Sequence, residues 1–153
     1  MLEVGDTAPL FKAPLQDGSE LDLATLIGTR AVVLFFYPKD NTPVCTKEAC
    51  GFRDAYEQFV AAGAEVIGVS SDSVESHRAF AARHRLPFPI VSDRDRAVRR
   101  LFGVPNTLGV LPGRVTFVID AKGIIRLVFS GLLASDEHVR RALQVVERVA
   151  AGG

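Results

Sequence analysis

The chain has 153 residues, of which 48% are hydrophobic and 24% are charged, and its 18 basic residues balance 18 acidic ones. This length suits one domain, residues 1–153, with a single core. Zero net charge gives no general electrostatic reason to bind nucleic acid or an anionic membrane. The N-terminus lacks a basic start followed by an apolar run, so we expect a cytoplasmic protein without a targeting or membrane segment.

The first predicted elements are strands. Residues 10–15 and 20–23 read as short strands on either side of a turn at 16–19. Residues 31–37, AVVLFFY, form a continuous apolar run that ends at Pro38. The length of this run and its β-branched and aromatic content predict a strand that is buried on both faces.

A helix is predicted directly after this strand. Thr42 is a candidate N-cap, and Pro43 occupies the first helical position, where its missing N–H is harmless. Gly63 suits the end of the helix. One helical stripe is apolar and comprises Cys45, Ala49, Phe52, Tyr56 and Phe59.

Strands and helices alternate over the rest of the chain. In order, the pattern predicts a buried strand at 65–70, a helix capped at 72 or 73 and running to about 84, a short strand at 88–91 and a short helix at 97–102. A hairpin of strands 115–119 and 124–129 follows, and then a final helix from about 136. The inner face of this last helix is predicted to contain Val139, Leu143, Val146 and Val149. We expect the tail, 150–153, to fray. This order indicates an α/β, thioredoxin-like three-layer fold with a mixed central sheet and an N-terminal β-hairpin extension.

The two cysteines are the candidate reactive groups. They are too few for an all-cysteine zinc site, and in a cytosolic protein two cysteines are more often catalytic, redox-active or inert than a structural disulfide. Cys45 falls in the first turn of the predicted helix, where unpaired N–H groups and the helix dipole favour the reactive thiolate. Taken alone, Cys45 also fits a buried packing residue, and Cys50 fits an unreactive surface thiol.

The segment around Cys45 resembles the peroxiredoxins. Pro38, Thr42 and Cys45 match the family signature of Pro, three residues, Thr, two residues and Cys. The second cysteine, five residues on, resembles the bacterioferritin-comigratory or peroxiredoxin Q subgroup. The strings FFYPKDNTPVCTKEACGFRD, VIGVSSDS, FPIVSDRD, FGV and RVTFVID are similar to that subgroup and follow its order, so the resemblance covers about residues 4–129.

This resemblance implies a thiol-dependent peroxidase that reduces hydrogen peroxide and organic hydroperoxides without a cofactor or metal. Cys45 would attack the peroxide and become a sulfenic acid, and Cys50 would resolve it as an intramolecular disulfide. An external dithiol must then reduce the disulfide, and the resemblance implies thioredoxin or a similar reductant. It also favours a monomer, with a dimer left open.

Four further residues match the family's active site. Thr42 would place its hydroxyl between thiolate and peroxide, Pro38 would shield the pocket, and Glu48 would hold an arginine. Arg114, which follows a segment at 106–113 that is shorter than in some relatives, matches that arginine. A guanidinium can give two parallel bonds to a developing oxyanion, which an ammonium cannot. Away from this motif, the same residues read as an N-cap, a strand end and two surface side chains.

Histidines and arginines elsewhere are expected to have no chemical role. His77 and His84 lie seven residues apart on one helix face and His138 is distant, so packing or a solvated face is the preferred interpretation. A basic group is interleaved with Asp93 and Asp95, which favours a solvated helix surface; it comprises Arg94, Arg96, Arg99 and Arg100.

Two other functions stay open. A thiol–disulfide exchanger acting on proteins is less favoured, because the chain lacks Cys-x-x-Cys while Thr42 and Arg114 suit a small oxygen electrophile. A redox-sensing or binding module, whose disulfide changes a partner's affinity, is the second. Catalytic turnover of peroxide, as against a single stoichiometric oxidation, distinguishes them.

The cysteine spacing also predicts motion. Five residues along one continuous helix separate the Cα atoms of Cys45 and Cys50 by about 8.6 Å, whereas a disulfide requires about 4.4–6.8 Å. We therefore expect the segment from 43 to about 52 to unwind on oxidation.

Overall fold

The computed structural model describes residues 1–107 and 111–152. In chain order its elements are β1 (Lys12–Pro14), β2 (Glu20–Asp22), a 3-10 turn (Leu23–Thr25), β3 (Ala31–Phe36), α1 (Pro43–Asp54), α2 (Tyr56–Ala61), β4 (Ala64–Ser70), α3 (Val74–His84), β5 (Ile90–Ser92), α4 (Ala97–Phe102), β6 (Asn106–Thr107), β7 (Leu111–Pro112), β8 (Val115–Ile119), β9 (Ile125–Ser130) and α5 (Ser135–Ala150).

The central sheet has five strands in the order β5-β4-β3-β8-β9. β3 and β4 run parallel, as do β4 and β5, whereas β8 is antiparallel to both β3 and β9. The predicted mixed sheet is thus confirmed. β1 and β2 form the predicted N-terminal hairpin, and an isolated bridge between Leu15 and Val91 joins it to the edge strand β5.

Successive side chains of β3 divide the core into two clusters. Val32, Leu34 and Phe36 face a cluster that contains the hairpin and α4, whereas Val33 and Phe35 face a cluster that contains α1, α2, α3 and α5. This alternation is the two-residue period of a strand, and every β3 residue is buried. The outcome is the predicted three-layer, thioredoxin-like arrangement.

The long helix predicted from 43 to 63 is wrong in one respect, because it is broken at Ala55 into α1 and α2. Ala55 has ψ near 2°, outside the helical range, while its N–H still bonds Gly51 O. With this break Phe59 stays fully buried, and the Tyr56 hydroxyl donates to Glu65 Oε1 on β4 at 2.9 Å. Tertiary contacts therefore override a regular helical stripe.

The predicted inner face of α5 is confirmed, because Val146 is buried and Val139, Leu143 and Val149 are partly buried and pack against the core. His138, Ala142 and Val145 also lie buried on this helix. Two smaller predictions need correction. Ala150 belongs to α5 rather than to a frayed tail, and residue 153 lies outside the described residues. Arg99 is buried instead of solvated, because its Nη2 donates to Pro105 O at 2.7 Å.

The pairing of β6 with β7 was not predicted, and part of the short segment 106–113, residues 108–110, lies outside the description. Within residues 1–107 and 111–152, no helix has the length and apolar character needed to cross a membrane.

Candidate active site

Cys45 lies just after the loop that connects β3 to α1. β3 ends at Phe36, a short loop follows, and Pro43 begins the helix, so Cys45 occupies its first turn. Its side chain is buried, and the helix closes behind it through the bond from Thr46 N to Thr42 O at 2.8 Å. The thiol therefore meets the N-terminal end of the helix, where backbone N–H groups have no intrahelical acceptor.

A buried polar network fixes the loop that precedes α1. Asp40 accepts bonds from the Tyr37 hydroxyl at 2.5 Å and the Ser76 hydroxyl at 2.8 Å, and its Oδ2 lies 2.7 Å from His77 Nδ1. Its amide donates to Asp72 Oδ2 at 2.8 Å. These bonds tie the loop to α3 and to the end of β4, and they explain the burial of His77.

The same network contains a possible set of metal ligands. Asp40, Asp72 and His77 present ligand atoms within 4.8 Å of one another. Each of these atoms that faces the cluster already takes part in a hydrogen bond with the loop or with a neighbouring side chain. The geometry therefore fits a structural hydrogen-bond network better than an open metal site.

Arg114 reaches the thiol because of strand pairing. Phe36 pairs with Val115, so the residue before β8 lies beside the end of β3. From there Arg114 Nη2 donates to Cys45 Sγ at 3.0 Å, and Nη1 donates to Glu48 Oε1 at 2.5 Å. The third anchor is the bond from Nε to Leu132 O at 2.7 Å. The guanidinium is thus held on three sides.

The structure brings together Cys45, Glu48 and Arg114 as the motif predicted. Glu48 and Arg114 are both buried, which is incompatible with the alternative in which they are surface residues. One turn after Cys45, Glu48 lies on the same side of α1 and pairs with the guanidinium. A salt bridge of this kind orients a guanidinium more reliably than it stabilises the fold, because desolvation opposes the Coulomb attraction.

Burial and neighbouring charges shift the pKa values of Arg114, Glu48 and His138. Burial alone would lower the pKa of Arg114, but Glu48 and Cys45 outweigh it and the pKa is raised above its usual range. Burial raises the pKa of Glu48 from 4.5 to about 7, although the Arg114 charge acts in the opposite direction. Burial lowers the pKa of His138 to about 4, helped by the charge of Arg114.

Thr42 and Pro38 are placed near the loop but their roles remain predictions. Thr42 occupies the N-cap position with an extended backbone, yet its side chain makes no capping bond. Its hydroxyl instead donates to Lys39 O at 3.0 Å. Pro38 is half-buried and lines a small cavity together with Ser70, Asp93 and Arg99.

Cys50 lies on the same continuous helix as Cys45, and both thiols are free. Cys50 is half-buried, whereas Cys45 is almost fully enclosed. Ideal helix geometry separates their Cα atoms by about 8.6 Å, so this conformation does not permit a disulfide between them.

Three groups at the site were not found from the sequence. His138 Nε2 lies 2.8 Å from Gly131 O, and its Nδ1 lies 2.7 Å from Thr116 Oγ1. Leu132 contributes its carbonyl to Arg114. Only tertiary structure unites them, because α5, β8 and the turn after β9 are far from the cysteine motif in the chain. His138 was set aside for that reason.

Together, this fold and a buried thiol with a guanidinium on its sulfur define a thiol-based oxidoreductase of thioredoxin-like architecture. Residues 4–128 match the AhpC/TSA family, and the chain belongs to that family, within its peroxiredoxin Q or bacterioferritin-comigratory subgroup. It is accordingly a thiol peroxidase.

Several relatives support this assignment. Chloroplastic peroxiredoxin Q of Sedum lineare is 46% identical over 144 residues, which is 94% of this chain and 77% of the relative. Peroxidoxin BcpB of Mycobacterium tuberculosis superposes with a TM-score of 0.90 at 38% identity, covering 97% of this chain and 99% of that chain. The bacterioferritin comigratory protein of Xanthomonas campestris gives 0.84 at 34% identity, covering 92% of each chain.

Proposed function

We propose that this chain reduces hydrogen peroxide and organic hydroperoxides through a sulfenic acid on Cys45 that Cys50 resolves, with thioredoxin or a similar dithiol as reductant. The observation that supports this most directly is the bond from Arg114 Nη2 to Cys45 Sγ at 3.0 Å. The guanidinium places a cation against the sulfur, and the same forked group offers further donors to an incoming oxygen.

In the first step the thiolate sulfur attacks the terminal oxygen of the peroxide. The S–O bond forms, the O–O bond breaks with both electrons on the departing oxygen, and that oxygen takes one proton to leave as water or an alcohol. A preorganised donor at such an oxygen is worth about 2.7–4 kcal/mol. Arg114 provides this donor, since Glu48 and the Leu132 carbonyl already fix its orientation.

Thr42 and Pro38 complete the proposed pocket. Because the Thr42 hydroxyl donates its hydrogen bond to Lys39 O, its oxygen lone pairs remain available to accept a hydrogen bond from the peroxide. Pro38 would restrict water at the entrance and keep the loop in shape.

In the second step the Cys50 thiol attacks the sulfenic sulfur, the disulfide forms and water leaves. This step requires α1 to unwind, because its geometry keeps the two thiols apart. An external dithiol then reduces the disulfide by exchange, which regenerates both thiols. The bacterioferritin comigratory protein of Xanthomonas campestris has alkyl peroxide reduction activity, which is consistent with organic hydroperoxides as substrates here.

The test uses two variants. Cys45→Ser should abolish turnover of hydrogen peroxide and of an organic hydroperoxide, because a hydroxyl is not appreciably ionised near neutral pH. Cys50→Ser should consume one equivalent and stall, and excess peroxide should then add oxygens to Cys45 that mass spectrometry can count. Undiminished thioredoxin-dependent turnover in Cys50→Ser would remove Cys50 from the cycle. A single oxidation without turnover in the unmodified protein would favour a redox sensor instead.

A further inference from the structure

Arg114 is held by a short turn as well as by its carboxylate partner. Its Nε donates to Leu132 O at 2.7 Å, and its own carbonyl accepts from Gly131 N at 3.2 Å. These two contacts join Arg114 to the turn at 131–134, between β9 and α5. The position of this turn therefore helps to determine where the guanidinium lies relative to Cys45 Sγ, which is 3.0 Å from Nη2.

The turn lies largely at the surface. Leu133 is 78% exposed, and Leu132 is only partly buried. α5 begins directly after the turn, and its N-cap residue, Ala134, provides no side-chain capping bond. An exposed helix start of this kind holds its neighbours in place poorly unless an internal contact supports it.

His138, in the first part of α5, supplies such an internal contact. Its side chain is fully buried, and its Nε2 lies 2.8 Å from Gly131 O. Its Nδ1 lies 2.7 Å from Thr116 Oγ1 on β8, and its ring packs edge-on against Phe129 on β9 with the ring centroids 4.7 Å apart. The imidazole is therefore fixed by two strands of the sheet while it contacts the turn.

The hydrogen bonds determine which nitrogen of His138 carries the hydrogen. Burial lowers the pKa of His138 to about 4, so near pH 7 the ring is neutral and has one N–H. A carbonyl oxygen can only accept, so this hydrogen lies on Nε2 and is donated to Gly131 O. Nδ1 then accepts the hydrogen of the Thr116 hydroxyl. Since both nitrogens are engaged, the ring offers no donor to a peroxide and can act only through the turn.

We propose that His138 is a positioning residue that holds the guanidinium of Arg114 against the Cys45 sulfur by fixing the peptide between Gly131 and Leu132. This inference rests on the proposed function, in which the guanidinium is the donor to the departing oxygen. Without the Nε2 hydrogen, the Gly131 carbonyl would turn toward solvent for a donor and the Leu132 carbonyl would move with it. A displacement of about 1 Å at a reacting group can lower a rate about 100-fold.

The first test measures the oxidation of Cys45 in the Cys50→Ser background, which should stop at the sulfenic acid. A trapping reagent captures the sulfenic acid at successive times for counting by mass, and alkylation by iodoacetamide is measured in parallel. Both rates are expressed per thiolate, which is quantified by ultraviolet absorbance. Iodoacetamide loses iodide and needs no donor at a departing oxygen, so a displaced guanidinium should slow only the peroxide reaction.

Three substitutions of His138 provide the matched comparison. His138→Gln carries an amide N–H at about the reach of Nε2, His138→Asn is one methylene shorter, and His138→Phe keeps only an apolar ring. We expect peroxide to oxidise the Asn and Phe variants about 10- to 100-fold more slowly than the background, with alkylation little changed, and the Gln variant to regain most of the rate. His84→Phe is the control and should react at the background rate, because His84 also packs edge-on against a phenylalanine, Phe80, but lies on α3.

The second test follows the Nε proton of Arg114 by NMR and does not depend on catalysis. Arg114 is buried and this proton is donated to Leu132 O, so it should exchange slowly with solvent in the reduced protein. We expect faster exchange in His138→Asn and His138→Phe, and slow exchange in His138→Gln. Equal exchange in the unmodified protein and all three variants would refute the link between His138 and Arg114.

The two tests separate this inference from the proposed function. If no sulfenic acid forms on Cys45 in Cys50→Ser, the proposed function has failed, and the exchange of the Arg114 proton still tests the positioning role. If it forms and His138→Phe keeps the background rate with peroxide, or loses peroxide and iodoacetamide reactivity in equal proportion, only the positioning role is refuted. Nitrogen NMR signals that place the hydrogen of His138 on Nδ1 near pH 7 would refute it as well.

Discussion

Oxidation to the disulfide should unwind α1 while leaving its neighbours intact. Closing the disulfide shortens a Cα separation of about 8.6 Å to at most about 6.8 Å. The amides that can report this begin at Thr46, which donates to Thr42 O, because the first helical amides have no intrahelical acceptor. Phe52 should limit the opening: its buried ring stacks on Phe35 with centroids 4.5 Å apart, and exposing it costs about 1.5–3 kcal/mol.

The size of the effect follows from the bonds lost. At about 0.5–1.5 kcal/mol per backbone bond, opening residues 46–52 removes about 3 kcal/mol or more of local protection, which means exchange about 150-fold faster. Amide hydrogen exchange on the reduced and oxidised proteins measures this directly. Cys50→Ser treated with one equivalent of peroxide is the control and should stay protected. Equal protection of 46–52 in both states, with the intramolecular disulfide confirmed by mass, would refute the reasoning.

Two further predictions concern the charged groups. Arg114→Lys should slow oxidation of Cys45 about 100-fold or more, because a single ammonium nitrogen lacks the planar fork whose separate nitrogens reach Glu48 and the sulfur. A rate within twofold of the unmodified protein, with exposed Arg140→Lys as the unaffected control, would remove Arg114 from the site. In the unmodified protein, the raised pKa of Glu48 lowers the free energy of unfolding as the pH rises from 4.5 to about 7. The lowered pKa of His138 lowers the free energy of unfolding as the pH falls from 6.5 to about 4. Between pH 4.5 and 6.5 the two effects oppose each other. Glu48→Gln removes the Glu48 effect and leaves that of His138, so the free energy of unfolding of this variant should rise with pH by up to about 1.4 kcal/mol per pH unit in this range. Urea unfolding at several pH values measures it, and an unchanged slope would contradict the assigned pKa values.

The sequence was most informative where function depends on a local motif. Cys45 and Glu48 are three residues apart on one helix, so a linear pattern can identify them together. Arg114 was found only because a family resemblance linked distant segments, and the pairing of Phe36 with Val115 explains why it reaches the thiol. The sheet followed from its apolar runs, since strands buried on both faces leave a strong signal.

Groups that depend on packing between distant elements were missed. His138 meets Thr116 and Glu48 through contacts between α5, β8 and α1, and no spacing in the chain encodes them. Gly51 shows how close this packing is, because a Cβ there would lie 3.1 Å from Val139 Cγ2. The break at Ala55 was missed for a related reason: the apolar stripe continues at helical spacing across it.

The network around Asp40 has a kinetic consequence for the return to the reduced state. Its bonds to Tyr37, Ser76 and His77 hold the loop before α1 independently of the helix itself. In the proposed cycle, α1 would therefore re-form from a fixed starting point after the disulfide is reduced, which would remove much of the cost of helix nucleation. Helix–coil relaxation of a peptide of about 20 residues takes about 0.1–1 μs. We expect recovery of the pocket to be far faster than the arrival of either substrate, so chemistry and encounter set the pace of the cycle.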